Sequence, residues 1–212
     1  MNKYDLILFD MDGTIVDSDE MLFRSLFALY DRFNNGIRKP KDELYKYSGP
    51  PIEESLKKEF PNYDPDMILR QYIKESAYYS ELYIYPMTNI IEVCKELKNK
   101  GVKLGVVTNK HTANSVKTLE ITNMTDLFDI LVGYNEVTHH KPEGEGIIKA
   151  MEKLNVINKR KVLYVGDNNI DYYTAVNAGV DSAIVYWGPR VHTINVEPTY
   201  KITDFKELLE VI

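Results

Sequence analysis

The sequence contains little cysteine, no long apolar run and no excess of basic residues, and each absence excludes a class of protein. Its single cysteine, Cys94, cannot form an internal disulfide. No run of 18 apolar residues predicts a transmembrane helix, and the first ten residues reach acidic positions too soon for a signal peptide. A formal net charge of −6 argues against a broad nucleic-acid-binding surface. We therefore expect a soluble cytoplasmic protein that binds neither nucleic acid nor a membrane.

Length and composition predict one complete core and a smaller additional unit. The chain has 212 residues, which corresponds to about 1.4 domains at about 150 residues per domain. Hydrophobic residues make up 44% and charged residues 27%, close to the averages of globular proteins. Neither a glycine-rich dinucleotide fingerprint nor a P-loop motif occurs, which disfavours a dinucleotide-binding enzyme.

After Pro86, apolar runs typical of buried strands alternate with segments of helical periodicity. Predicted strands cover 4–9, 102–107, 129–133, 161–165 and 182–186. Predicted helices run from Ile90 to a stop at Gly101 and over 111–120, 144–154, 170–178 and 205–212. This alternation predicts an α/β fold, with a doubly wound parallel sheet covered by helices on both faces.

A helical block separates the first predicted strand from the remaining ones. Helical patterns occur at 19–33, 41–47, 52–60 and 66–80, and no strand is expected within 17–85. We therefore predict a core formed by 1–16 plus 86–212, with a small α-helical domain, 17–85, inserted after the first strand. Ligands of open α/β sheets bind beyond the carboxyl ends of the strands, so the insertion should lie over the site as a lid.

Polar groups occur just after the first two predicted strands, and each has an ordinary alternative explanation. Asp10 and Asp12 are two residues apart, and such close carboxylates repel unless a cation or a proton intervenes. The alternative is a plain Asp-Gly turn. Thr108 and Asn109 precede a predicted helix, where a hydroxyl and backbone N–H groups suit a phosphate. The alternative is a helix N-cap.

Two later segments carry groups of the same kind. Lys141 precedes a proline and a predicted helix, although a single lysine is usually a solvated surface charge. Asp167 and Asp171 share a helix face, although acids at a helix N-terminus are favourable in any case. All these groups would meet at one edge of a parallel sheet. Four carboxylates and one lysine would then converge, and such oxygen ligands suit Mg²⁺.

These residues closely resemble the motifs of the haloacid dehalogenase superfamily, in the family's order. The first motif, DxDGT, occupies 10–14; Thr108 provides the second and Lys141-Pro142 the third; the fourth, GDxxxD, occupies 166–171. One departure is the segment 143–146, Glu-Gly-Glu-Gly, which leaves the start of the following helix uncertain. In this family a helical insertion between the first two motifs is called a cap. Its placement resembles the branch that contains phosphoglycolate phosphatases, bacterial pyrophosphatases and β-phosphoglucomutases.

The resemblance implies a two-step phosphate transfer. Asp10 would be the nucleophile and form an aspartyl phosphate, with Asp12 as general acid and then general base. Mg²⁺ would be held by Asp10, the Asp12 backbone carbonyl and Asp167, with Asp171 completing that shell through water or Lys141. The groups expected to hold the phosphoryl oxygens are Lys141, Thr108, the Asn109 N–H and Gly13.

The substrate is implied only as a small phosphorylated metabolite. The segments that look most like the phosphatase members of this branch are Thr-Asn-Lys at 108–110, Gly49-Pro50-Pro51 and 186–188. The resemblance implies a phosphoglycolate phosphatase-like enzyme, and a pyrophosphatase or a nucleotidase stays open. The acid at Asp12 disfavours a dehalogenase, and the absence of histidine from 19–33 disfavours a mutase. A phosphate-responsive signalling module is a further alternative. The cap residues expected to meet the substrate are Gly49, Pro50, Pro51 and Arg24. The chain is expected to be a monomer or a homodimer.

Overall fold

Six parallel strands form the central sheet in a computed structural model that describes residues 2–212. In chain order the strands are β1 (Leu6–Phe9), β2 (Val16–Asp17), β3 (Tyr85–Pro86), β4 (Lys103–Val107), β5 (Ile130–Val132), β6 (Val162–Gly166), β7 (Asp181–Val185) and β8 (Tyr200–Ile202). The sheet has the order β5-β4-β1-β6-β7-β8, and every neighbouring pair is parallel. The predicted doubly wound α/β fold is confirmed.

The later helices of the chain cover both faces of this sheet, and the earlier ones form a separate unit beside it. They are α1 (Asp19–Phe33), α2 (Lys41–Leu44), α3 (Ile52–Glu59), α4 (Pro65–Tyr83), α5 (Ile90–Asn99), α6 (Thr112–Ile121), α7 (Glu145–Lys153) and α8 (Asn169–Ala178). Strand β1 is buried on both faces, which explains its uninterrupted apolar sequence. Its side chains alternate, with Ile7 and Phe9 in one apolar cluster and Leu6 and Leu8 in the other.

Helices α1 to α4 have their own apolar core, distinct from the two that cover the sheet. Helix α1 presents Leu22, Leu26 and Leu29 to this core, and Phe60 closes it after α3. Buried polar groups are satisfied locally, because the Glu59 carboxylate accepts hydrogen bonds from the hydroxyls of Tyr30 and Tyr47. This helical unit packs chiefly through contacts between α1 and α4.

The structure differs from the sequence-based expectation at two places. Strands β2 and β3 pair antiparallel where the chain enters and leaves the helical unit, although no strand was expected within 17–85. The segment predicted as a final helix over 205–212 is a 3₁₀ turn, Phe205–Leu209, preceded by β8. Phe205 and Leu208 are both buried, and their spacing of three residues suits a 3₁₀ turn as well as an α-helix.

No helix among residues 2–212 combines the length and the apolar character needed to cross a membrane.

Candidate active site

The floor of the site is a buried ion cluster at the carboxyl ends of β1 and β6. The Lys141 ammonium lies 2.7 Å from Oδ1 of Asp10 and 2.7 Å from Oδ1 of Asp171, and all three side chains are at most 3% exposed. The ammonium also donates to the Tyr164 hydroxyl at 3.1 Å. Tyr164 in turn donates to the Val107 carbonyl at 2.9 Å, which connects the cluster to β4.

Asp171 is held in place by the start of α8. Its Oδ2 accepts the backbone N–H groups of Asp167 at 3.2 Å and Asn168 at 3.1 Å, and it forms a capping box with Asn168. Gly166 is required beside it, because a Cβ at this position would lie 2.2 Å from the Asp171 Cβ. The GDxxxD motif therefore builds a tight turn that aims Asp171 at Lys141.

Burial and charge act in opposite directions on this cluster. Burial, the largest effect, and the nearby Asp171 carboxylate together raise the pKa of Asp10 from its ordinary 3.8 to about 6, although the Lys141 ammonium lowers it. Burial alone would lower the pKa of Lys141, but the Asp10 and Asp171 carboxylates hold it well above its ordinary value. The lysine therefore remains charged at neutral pH and neutralises part of the acidic cluster.

The acidic residues of the floor fit a divalent cation. Oxygen atoms of Asp10, Asp167 and Asp171 lie within 4.8 Å of one another, and all three residues are buried. Two of these carboxylates, those of Asp10 and Asp171, flank the Lys141 ammonium. Carboxylate oxygens are the donors that Mg²⁺ prefers. The donor set therefore fits Mg²⁺.

Above this floor lies a cleft of about 190 Å³ between the sheet and helices α1, α3, α4 and α6. Asp10, Asp12, Thr108 and Asn109 line its inner end. The Asp12 carboxylate is paired with the Lys110 ammonium at 3.0 Å, and Thr108 is 6% exposed. Gly13 serves the turn, with φ at +85° and its N–H donated to the Val16 carbonyl at 2.9 Å.

The loop after β4 connects the sheet to the helical unit through the side chains of Asn109 and His111. The Asn109 side-chain amide donates to the Gly49 carbonyl at 2.9 Å and accepts the Lys141 backbone N–H at 3.1 Å. The same amide donates to the Lys141 carbonyl at 3.3 Å. His111 Nε2 lies 2.6 Å from Glu53 Oε1 at the start of α3. The loop thus contacts both the floor and the roof of the cleft.

Comparison with known proteins identifies the family. Residues 7–185 match the family model of haloacid dehalogenase-like hydrolases. This chain belongs to that family. The resemblance based on the four motifs is therefore confirmed.

Relatives of this haloacid dehalogenase-like hydrolase cover nearly its whole length. A protein named pyrophosphatase PpaX from Halalkalibacterium halodurans is 29% identical over 208 residues, or 97% of this chain and 95% of that protein. A solved structure titled as a predicted phosphatase from Clostridium acetobutylicum has a TM-score of 0.78 at 26% identity, covering 98% of this chain and 99% of that chain. A predicted phosphoglycolate phosphatase from Haemophilus somnus shares the fold, with a TM-score of 0.86 at 22% identity over 100% and 99%.

The departure in the third motif of this hydrolase has a packing explanation. Helix α7 begins at Glu145, and a Cβ at the preceding Gly144 would lie 2.6 Å from the Ala178 backbone nitrogen at the end of α8. Glycine therefore allows the segment after Lys141 to approach α8 closely. The Glu145 carboxylate accepts the backbone N–H groups of Thr138 and His139, each at 2.8 Å, which holds the loop that carries the lysine.

The cap residues singled out in the sequence fall in different places. Gly49 and Pro50 line the cleft, and Pro51 is buried directly behind them. Gly49 has φ at +106°, in the left-handed region that favours glycine. Arg24 is not among the described residues that line the cleft; it pairs with Glu20 at 2.9 Å and lies over the Tyr83 ring.

Sequence reasoning missed two side chains of this site. Tyr164 looked like an ordinary apolar strand residue, and nothing in the pattern of β6 shows that its hydroxyl meets Lys141. In the sequence, Lys110 stands out only as the last residue of Thr-Asn-Lys, and no role is predicted for it. One signal points to Lys110: it follows β4, and Asp10 and Asp12 follow β1, which is the neighbouring strand in the sheet.

Proposed function

We propose that this protein is a Mg²⁺-dependent phosphatase that hydrolyses a small phosphorylated metabolite through an aspartyl phosphate on Asp10. The observation that carries the proposal is the Asp10 carboxylate, which lines the inner end of the cleft and is held by Lys141 at 2.7 Å. A carboxylate oriented by a buried ammonium is positioned for attack on phosphorus.

The reaction takes place in two displacements. An oxygen of Asp10 attacks phosphorus, the bond from phosphorus to the leaving oxygen breaks, and Asp12 donates a proton to that oxygen. Water then attacks the aspartyl phosphate, Asp12 takes a proton from the water, and the bond between Asp10 and phosphorus breaks. Inorganic phosphate and the free Asp10 carboxylate result. Asp12 lines the same cleft as Asp10, which suits both proton transfers.

Charge stabilisation supplies most of the catalysis expected for phosphate transfer. Lys141 orients Asp10 and balances part of the negative charge that meets there. Thr108, at the inner end of the cleft, is positioned to donate its hydroxyl to a phosphoryl oxygen. Mg²⁺, held by Asp10, the Asp12 carbonyl and Asp167 with Asp171 behind them, would neutralise the charge on the transferring phosphoryl group.

Two features favour a small substrate. The cleft volume of about 190 Å³ lies below the range of about 300–1,000 Å³ usual for drug-sized ligands. The relative from Halalkalibacterium halodurans is named a pyrophosphatase, and the fold match from Haemophilus somnus is titled a predicted phosphoglycolate phosphatase. Pyrophosphate and 2-phosphoglycolate are therefore the first compounds to test.

The test is phosphate release from pyrophosphate, 2-phosphoglycolate, a nucleoside monophosphate and p-nitrophenyl phosphate, with Mg²⁺ and with EDTA. We expect turnover that requires the metal and disappears in Asp10→Asn, while Asp126→Asn on the exposed surface retains it. Full turnover in Asp10→Asn would refute the aspartate nucleophile. A stable phosphoprotein without turnover would instead indicate a signalling module.

A further inference from the structure

We infer that Lys110 selects substrates whose leaving group carries its own negative charge close to the leaving oxygen, an inference that rests on the phosphatase proposed above. Such substrates include pyrophosphate and phosphorylated 2-hydroxy acids. The inference starts from the ion pair that links Lys110, in the loop after β4, to Asp12, the proposed proton donor.

Lys110 reaches into the inner part of the cleft. Its ammonium lies 3.0 Å from Asp12 Oδ1, and only 15% of its side chain is exposed. Its backbone is held at both ends, because its N–H donates to the Thr108 hydroxyl at 3.3 Å and its carbonyl accepts the Tyr134 N–H at 2.9 Å. The backbone is therefore anchored, and the flexible four-carbon stem can redirect the ammonium.

The other basic groups that line the cleft or lie directly beneath it, among the described residues, are engaged with other partners. His111 lies against Glu53 at 2.6 Å. Lys117 has 56% of its side chain exposed and pairs with Glu81 at 3.6 Å. Lys141 lies beneath the cleft, between Asp10 and Asp171. Lys110 is therefore the cation placed to meet the non-transferring part of a substrate.

The distance between the leaving oxygen of a bound substrate and the Lys110 ammonium is short. A leaving oxygen that accepts a proton from Asp12 Oδ1 lies one hydrogen bond from that atom, so it falls within roughly 6 Å of the Lys110 ammonium, two hydrogen-bond lengths. A phosphate or carboxylate attached to that oxygen, or one carbon beyond it, comes within direct reach of the ammonium. The cleft that would hold such a group is small, about 190 Å³.

A purely local role for Lys110 makes a different prediction. If the ammonium only balances Asp12, its removal should impair all substrates to the same degree. If it also binds the leaving group, its removal should impair substrates that carry the extra charge more than substrates that lack it. The comparison of 2-phosphoglycolate with ethyl phosphate separates these cases, because the two differ in little besides the carboxylate.

The experiment measures kcat/KM for pyrophosphate, 2-phosphoglycolate and ethyl phosphate in wild type, Lys110→Met and Lys110→Arg. Lys98→Met is the matched control, because Lys98 also forms an ion pair, with Asp129 at 2.8 Å, outside the cleft. A charged hydrogen bond corresponds to a selectivity of about 10- to 100-fold. We expect Lys110→Met to reduce the preference for 2-phosphoglycolate over ethyl phosphate by this factor, and Lys110→Arg and Lys98→Met to retain it.

Three results would overturn the inference: an equal loss on all substrates in Lys110→Met, an equal selective loss in Lys110→Arg, or a wild-type enzyme without preference for the charged leaving group. Failure of the proposed phosphatase would look different, since wild type would then release phosphate from none of the compounds. Thermal unfolding of each variant checks that it is folded.

Discussion

Replacement of Lys141 by methionine should destabilise the protein far more than loss of an ordinary surface lysine. The ammonium is paired with Asp10 and Asp171 at 2.7 Å, and all three side chains are at most 3% exposed. Removing one partner of a buried ion pair leaves an uncompensated charge, at a cost of about 3–5 kcal/mol. For a chain of this length that corresponds to a fall in Tm of about 6–20 °C.

Urea unfolding followed by tryptophan fluorescence suits this test. Trp187 is the single tryptophan, and its indole N–H donates to the Gly13 carbonyl at 3.2 Å, so its emission reports on the loop beside the site. Lys98→Met is the matched control, because the Lys98–Asp129 pair is one-third exposed on both sides. Its loss should cost about 0–1 kcal/mol.

Two additional measurements identify charge as the cause. In Lys141→Met, adding Asp171→Asn should recover stability, because one of the unbalanced carboxylates disappears. The deficit of Lys141→Met should also shrink at pH 5, where the carboxylates bind protons in place of the lost ammonium. A loss no greater than that of Lys98→Met, or a further loss in the double variant, would refute this account of the site.

The remaining predictions concern Asp10 and Asn109. In metal-free buffer, Asp10→Asn should raise the free energy of unfolding at pH 7.5 by up to about 3 kcal/mol, because the pKa of Asp10 is raised to about 6 on folding. Between about pH 4 and 6 the folded state keeps a proton that the unfolded chain releases, so the gain in the free energy of unfolding should vanish near pH 4. Urea titrations at pH 7.5 and pH 4 measure this gain. An equal gain at both pH values would contradict the coupling between folding and protonation of Asp10. Asn109→Ala should lower kcat on every substrate, because its side chain holds both backbone groups of Lys141 and the Gly49 carbonyl. Unchanged kcat with a raised KM alone would show that the amide serves only the substrate.

The fold could be predicted because each strand and each helix carries its own hydrophobic pattern in a short stretch of sequence. A strand such as β1, Leu6–Phe9, is apolar throughout because it is buried on both faces, and each helix that follows a strand has its own periodicity. Parallel strands bring their carboxyl ends to one edge. That rule alone placed Asp10, Asp167 and Asp171 in one neighbourhood, which is where they lie in the structure.

The contacts of the loop 108–111 were not predictable in the same way. The sequence predicts a phosphate contact for the Asn109 backbone N–H, but it does not predict that the Asn109 side chain bridges the Gly49 and Lys141 backbones. Those partners are 60 and 32 residues away along the chain. Their positions depend on how the helical unit docks on the sheet, and no local periodicity encodes that docking.

The hydrogen bonds of Asp171 indicate whether it contacts a cation directly or acts through Lys141, a question that the motif spacing leaves open. Both of its carboxylate oxygens already accept hydrogen bonds from the protein, Oδ1 from Lys141 and Oδ2 from the backbone of Asp167 and Asn168. The Thr14 hydroxyl donates to Asp167 Oδ1 at 3.2 Å. Because both Asp171 oxygens are engaged in this way, we expect Asp171 to orient Lys141 from behind, and Asp10 and Asp167 to contact a bound cation directly. On this reasoning Asp171→Asn, which keeps the side-chain shape but only one of the two acceptor oxygens, should weaken cation binding less than Asp167→Asn, as Mg²⁺-dependent thermal shifts of the two variants would measure.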